Sequence, residues 1–471
     1  MTAASAVLGW IVAVCLIYLL AVYGAYLGML GYSAAEARSR RSRRRLENLE
    51  RMRESPLTVP VSIIAPVHNE EPIVLGATRS FLAVDYPEHE VIVVNDGSTD
   101  GTLAALEREF DLRPIELFYR RRFATKPVRG IYRSRTEPRL VVVDKENGGK
   151  ADSLNSGLNL ARYRYVCGVD GDTILARRSL LDGMRHVLAD PRRVMGVTGH
   201  ISISSKPEES LDRDGRPNRV DHRPILAFQH LDFLRSFFNN RLGWTRLNTM
   251  LCAVGAFQIW RLDVLEELGG FSTTFTCEDI ELTFRAHEKL RREGRPYRLL
   301  SLPDTVGVTE APDRTRTLIA QRERWQRVIL ETVIHYRRMM FRRPYGSVGF
   351  VGVPFFVLSE VLAPLFEVVA LVTLAVGAAS GLLDIGRALL MLALLALLNG
   401  LFTSAAIMLE DRTSRAYRVS DLALLIALGP IDLIAYRPLI FWARAKGSWR
   451  YLRGDKGWHK FERNLRSGAP A

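Results

Sequence analysis

Several short stretches of this chain gather side chains that could do chemistry. Asp170 and Asp172 stand one residue apart in VDGDT. Two carboxylates at that spacing can hold a hard divalent cation that also contacts a diphosphate, although an Asp-rich polar turn would read the same. Asp96 lies in NDGSTD. It is either part of an Asn-Asp-Gly turn or a carboxylate that accepts hydrogen bonds from a nucleobase or ribose, and Asp100 after it reads as the N-cap of a helix over 101–110. Lys150 follows two glycines in GGKADSLNSGL, at a helix start where backbone N–H groups and the ammonium could hold a phosphate. It is no P-loop, because the GxxxxGK[ST] spacing is absent. Glu278 and Asp279 open the helical pattern IELTFRAHEKL. They are helix-dipole partners, or one of them is a general base. QRERW (321–325) sits on a basic amphipathic stretch, where Arg322 and Arg324 could neutralise a diphosphate leaving group and Trp325 could stack on a sugar ring. A basic interfacial helix with a Trp anchor is compatible with the same residues.

Something must position these groups. VPVSIIAPV, EVIVVND, RLVVVDK and RYVCGVD are short β-rich apolar runs, and helical patterns fill the gaps at 72–83, 100–110 and 149–162. Strands that alternate with helices predict an α/β fold, a mostly parallel sheet with helices on both faces. Ligands bind such sheets at the carboxyl ends of the strands. His68-Asn69-Glu70, Asn95-Asp96-Gly97 and Asp170-Gly171-Asp172 all fall there. The soluble domain is expected over 57–340. Its polar, Pro-rich stretch 205–224 reads as a mobile loop, and there is no internal repeat.

The ends of the chain are different in character. Of its 471 residues 48% are hydrophobic and 25% charged, and the apolar ones cluster at the two ends. Residues 6–30 carry no charge and are long enough to cross a hydrocarbon core of about 30 Å. The basic cluster RSRRSRRR (38–45) follows directly, which puts the N-terminus outside and the cluster in the cytoplasm, against anionic lipid. Residues 347–379 and 387–409 are two further spans. A third stretch, 419–443, is broken by Pro430, Asp432, Arg437 and Pro438. Basic residues in 410–418 and after 443 read as cytoplasmic, so the crossings are odd in number. Three crossings with a re-entrant or interfacial 419–443 is the expectation, and five is the alternative. Glu360, Glu367, Asp432 and Arg437 fall at membrane depth, where they must face protein or a wet channel, or pair with one another. The expected division is therefore an N-terminal span (1–35), a basic juxtamembrane linker (36–56), the soluble domain, a C-terminal membrane region (341–445) and a basic cytoplasmic tail (446–471). The net charge of +14 has no nucleic-acid motif beside it, so nucleic acid is excluded as a partner. Cys15, Cys167, Cys252 and Cys277 have no metal-ligand or paired spacing, which fits a reduced compartment.

In their order and spacing, SIIAPVHNEE, VIVVNDGSTDGT, NGGKADSLNSGL, VDGDT, GAFQIWR, TCEDIELTFR and QRERW resemble the motif series of processive family 2 glycosyltransferases, which include cellulose, hyaluronan and poly-N-acetylglucosamine synthases. The resemblance covers residues 57 to about 340, and the flanking spans match that layout. It implies a glycosyltransferase A-type, Rossmann-like cytoplasmic domain plus α-helical transmembrane segments in the plasma (inner) membrane. It further implies a UDP-sugar donor, a polysaccharide or glycan acceptor, and Mg²⁺ or Mn²⁺. Carried over residue by residue, Asp96 contacts uridine, and Pro66, His68 and Glu70 line the uracil pocket. Lys150 contacts the diphosphate, Asp170 and Asp172 hold the metal and UDP, and Asp279 is the general base, with Glu278 beside it toward the acceptor. Gln321, Arg324 and Trp325 serve the diphosphate and the acceptor. Cys277 departs from the Thr usual before the acidic pair, and His68 from the commoner aromatic. UDP-N-acetylglucosamine is the first expectation for the donor and UDP-glucose the second, with auxiliary export subunits as possible partners. A single-addition transferase on a lipid-linked acceptor is the rival reading, and a non-catalytic nucleotide-sugar sensor is the rival of another class.

Overall fold

The structure, a computed structural model, describes residues 3–44, 49–56, 58–212, 220–382, 384–414 and 417–455. Arg45 of the basic cluster, residues 213–219 of the polar loop, 415 and 416 of the basic loop and 456–471 of the tail lie outside the described residues.

The chain forms two compact units. One, the sheet unit, comprises Ser42–Arg219 and Met250–Ala311; the other, the helical unit, comprises Met1–Arg41, Val220–Thr249 and Pro312–Gly457. Residues 220–249 and 312–340, which sequence assigns to the soluble domain, thus fold with the apolar helices.

The sheet unit has strands β1 (Val61–Val67), β2 (His89–Asp96), β3 (Leu112–Pro114), β4 (Val128–Ser134), β5 (Leu140–Lys145), β6 (Tyr165–Gly168), β7 (Ile174–Leu175), β8 (Val194–Ser204), β9 (Gln258–Arg261) and β10 (Arg298–Glu310). They form one sheet in the order β3-β4-β5-β2-β1-β6-β9-β8-β10-β7. The four strands expected from sequence are its centre, β5-β2-β1-β6, and pair in parallel throughout. Both faces of these strands are covered, so they read as unbroken apolar runs rather than as alternation: every residue of β2 is buried. The expectation of a mostly parallel sheet holds for this centre and for the pair of β8 with β10, and fails elsewhere. β9 enters antiparallel between β6 and β8, and β3, β4 and β7 also pair antiparallel. These added strands are short or carry polar residues, so period and length do not separate them from loops. Helices Val74–Leu82, Thr102–Phe110 and Lys150–Leu160 follow β1, β2 and β5 as expected, each within a few residues of its predicted bounds.

In the helical unit, Ala6–Arg40, Val348–Ala379 and Ile385–Asp411 are long and apolar enough to cross a membrane, and Val419–Ala435 and Arg437–Leu452 form a pair bent by 50°. The first helix runs on to Arg44, so the basic cluster up to that point continues the helix instead of starting a linker. The last helix carries Lys446 and Arg450, both paired with Glu323 (3.0 and 2.5 Å), which ties the start of the basic tail to the helix Thr315–His335.

Candidate active site

Because β2, β1 and β6 are adjacent and parallel, their carboxyl ends meet on one edge, and the polar residues after them converge. Asp96 closes β2 and is buried, 4% exposed. Its carboxylate accepts from the backbone N–H groups of Gly148 (2.9 Å) and Gly149 (2.8 Å) and from Lys145 Nζ (2.8 Å). The loop that leads to Lys150 is therefore hung on Asp96. His68 Nδ1 lies 2.8 Å from the carbonyl oxygen of Asp96, which also accepts from Asn147 Nδ2 (3.0 Å). Pro66 belongs to β1 and pairs with Val94, one residue before the last pair, Val67 with Asn95. A Cβ on Gly171 would stand 2.3 Å from Glu70 Oε2 and 2.7 Å from the carbonyl oxygen of Pro66. Only a glycine lets the Asp170–Asp172 turn approach these two residues so closely.

Lys150 opens its helix and joins the turn to the acidic pair. Its Nζ lies 2.6 Å from Asp170 Oδ1 and 2.7 Å from Glu278 Oε1. Burial favours the neutral amine, but Asp170, Glu278 and Asp279 outweigh it and hold the Lys150 pKa well above the ordinary lysine value. Glu278 is itself buried, and burial, with the Asp279 charge beside it, raises its pKa against the pull of Lys150.

Asp279 lies in the first turn of Glu278–Arg292, a helix with three acids at its start and Lys289, Arg291 and Arg292 at its end, as the helix dipole favours. Its Oδ1 accepts from Ile280 N–H (2.6 Å) and the Cys277 thiol (2.8 Å), and its Oδ2 from Gly255 N–H (3.0 Å). Burial and the neighbouring carboxylates push the Cys277 pKa far up, so the thiol keeps its proton and donates it. Cys277 thereby does what a Thr hydroxyl would do there. A Cβ on Gly255, in the turn between the bridged residues Val254 and Phe257, would stand 2.6 Å from Lys150 Nζ and 3.0 Å from Asp279 Oδ2, so a larger residue there would push the Lys150 ammonium aside.

Asp172 Oδ1 accepts a long hydrogen bond from Thr309 on β10 (3.4 Å). Among the described residues no group of three or more His, Cys, Asp or Glu could hold a metal ion. The donor set of Asp170 and Asp172 fits a hard cation that takes the rest of its shell from a substrate diphosphate and water, as Mg²⁺ commonly does, and does not fit a protein-only cage.

In the helical unit, QRERW lies mid-helix in Thr315–His335. Arg322 is buried, pairs with Asp232 (2.8 Å) and stacks over the Trp325 ring (4.4 Å). Its charge is thus taken up inside the unit. Arg324, Trp325 and Gln321 are half-buried. Asp232 belongs to Pro224–Leu234, where burial opposes its charge but Arg322, Arg437 and Arg235 outweigh this and lower its pKa. Of the ionisable residues expected at membrane depth, Asp432 pairs with Arg235 (2.8 Å) and Arg437 (3.0 Å), and Glu360 with Arg444 (3.1 Å). Sequence reasoning missed Lys145, Asp232 and Arg235. Lys145 had a signal, a charge ending an otherwise apolar strand; Asp232 and Arg235 had none, since their partners come from distant segments.

Residues 62–269 match the glycosyl transferase family 2 model. The chain is similar to poly-beta-1,6-N-acetyl-D-glucosamine synthases, 24% identical to that of Staphylococcus epidermidis over 253 residues (52% of this chain, 51% of the relative) and 23% identical to that of Staphylococcus aureus over 269 residues (56% and 53%). It spans about half the length of the curated relatives it matches. Among solved structures it is similar to a mannosyltransferase from Pyrobaculum calidifontis in complex with GDP-Man and Mn²⁺, with a TM-score of 0.55 and 22% identity over 90% of this chain and 99% of that one. That likeness bears on the fold, which is glycosyltransferase A-like. The match to glycosyl transferase family 2 lies over residues 62–269, the part of the chain that carries Asp96, Lys150, Asp170 and Asp172.

Proposed function

We propose that the protein is an inverting, processive membrane glycosyltransferase that moves sugar from a UDP-sugar, UDP-N-acetylglucosamine first and UDP-glucose second, onto a growing polysaccharide. One observation carries this reading: Asp279 is held by three hydrogen bonds beside Lys150, which itself bridges Asp170 and Glu278. A base and a cation for the diphosphate thus stand in one cluster. The donor choice draws support from the staphylococcal relatives, which are named as N-acetylglucosamine polymer synthases.

In this mechanism Asp279 takes the proton of an acceptor hydroxyl, which attacks the anomeric carbon in line and inverts it. Lys150 supplies positive charge to the diphosphate as it leaves, releasing Asp170 and Glu278 from its grip. Asp170 and Asp172 would hold Mg²⁺ or Mn²⁺, which when bound neutralises developing charge on the diphosphate. By the QRERW motif alone, Arg324 is a further candidate to meet charge on a diphosphate. Trp325 offers a ring to the acceptor sugar. The helices long and apolar enough to span a membrane support a multi-pass protein with a cytoplasmic catalytic domain and an exported product.

UDP release from purified protein across a panel of UDP-sugars, with sizing of the product, tests the reading. A long polymer from one donor is expected. A single added sugar on a lipid means the single-addition rival, and donor binding without UDP release means a sensor.

A further inference from the structure

Lys145 is fully buried, 0% exposed, at the end of β5, and the mechanism above does not use it. An ammonium buried in this way is tolerated only when its protons are taken. Three acceptors surround its Nζ: Asp96 Oδ1 at 2.8 Å, Asp152 Oδ1 at 2.7 Å and the carbonyl oxygen of Glu146 at 2.6 Å. They come from three places: the end of β2, the first turn of the helix that Lys150 opens, and the loop after β5. Each carboxylate passes the grip on. Asp96 takes the N–H groups of Gly148 and Gly149, and Asp152 takes the N–H of Lys126 with both oxygens (3.3 and 3.1 Å). One buried cation therefore ties the loop 146–149 to the sheet at one end and to the helix start at the other, and Lys150 projects from what it ties.

We propose that Lys145 is the positioning residue of the donor loop: through Asp96 and Asp152 it sets where Lys150 and the Gly148 and Gly149 backbone stand, and so sets affinity for the nucleoside diphosphate. This rests on the glycosyltransferase reading. Without Lys145, two buried carboxylates, Asp96 and Asp152, share a pocket with no countercharge, and the loop relaxes toward water. Lys150 is then presented by a mobile segment, which costs affinity before chemistry.

The test uses full-length protein in detergent and three variants: Lys145→Met, Lys145→Arg and the double variant Lys145→Met/Asp152→Asn. For each, the thermal midpoint, deuterium uptake of the peptide over 146–152, affinity for UDP, and KM and kcat for the donor are measured. In Lys145→Met, donor KM and the UDP dissociation constant should rise about tenfold or more, the loss expected for a charged hydrogen bond, with kcat little changed. Uptake over 146–152 should rise while β1 and β2 stay protected. The double variant should recover the thermal midpoint but not UDP affinity, and Lys145→Arg, which keeps the charge, should recover part of both. A folded Lys145→Met protein with wild-type UDP affinity and wild-type uptake overturns the proposal. So does a fall in kcat with KM unchanged, or failure of all three variants to fold, which would make Lys145 a folding residue only. If the wild-type protein turns over no nucleotide sugar, the glycosyltransferase reading fails instead, and the uptake comparison still decides the role of Lys145.

Discussion

Replacing Asp279 by Asn removes the proposed base while changing the shape of the side chain little. The carboxylate accepts three hydrogen bonds, two at Oδ1 and one at Oδ2. An amide has one acceptor oxygen. Turned to keep Ile280 N–H and the Cys277 thiol, it points its NH₂ at Gly255 N–H, and one charge-assisted bond becomes a contact between donors. That costs about 1.5–3 kcal/mol of local stability. The effect on rate is separate and larger: losing a general base lowers kcat about 10²–10⁴-fold, or roughly 3–5 kcal/mol of barrier. Lys150 keeps both of its direct partners, Asp170 and Glu278, so UDP affinity should stay within about threefold, under 1 kcal/mol. The assay pairs UDP release under saturating donor with calorimetric binding of UDP. Wild-type turnover in Asp279→Asn refutes the assignment. So does a loss of UDP affinity that matches the loss of rate, since the carboxylate would then serve the donor. Glu278→Gln is the companion variant: if it alone stops turnover, the base is the neighbouring acid.

Chelation of divalent cations with excess EDTA should abolish turnover, with recovery on adding Mg²⁺ or Mn²⁺; full activity in EDTA removes the metal role of Asp170 and Asp172. Cys277→Val deletes the thiol donor to Asp279 Oδ1 and should lower kcat about tenfold with donor KM unchanged, while Cys277→Thr keeps a donor and should stay near wild type, both read by steady-state kinetics. His287 is buried between Tyr297 OH (2.5 Å) and the Met250 carbonyl oxygen (2.6 Å), and burial lowers its pKa from 6.5 to about 4. Its folded value lies below its unfolded one, so its share of stability is whole above pH 6.5 and is lost as pH falls toward 4. The sheet unit should lose about 3 kcal/mol over that window, and His287→Gln should flatten the slope measured by denaturation at several pH values. In sealed vesicles with the active site outward, polymer should become protected from added glycosidase; polymer left wholly outside would mean synthesis without export.

The sequence by itself determined the centre of the fold. Runs such as EVIVVND announce buried parallel strands because both their faces are covered, and polar residues directly after them mark the binding edge of any such sheet. For the same reason Asp96, Lys150, Asp170 and Asp279 were legible: each lies at a strand end or helix start, positions that chain direction alone specifies. The apolar spans were legible as well, because length and lack of charge are local properties. What only tertiary structure decided are the pairings between distant segments. β9 inserts antiparallel between β6 and β8, and nothing in QIWR states which neighbours it will take. That Asp96 lies at a strand end is plain in the sequence, but not that the backbone of Gly148 and Gly149 will be found on it. Arg322 reads as a free cation until Asp232, ninety residues earlier, is found beside it. A carboxylate or guanidinium gains its meaning from the charge it meets, and over such separations that meeting is made by the fold, with no local pattern in the chain to announce it.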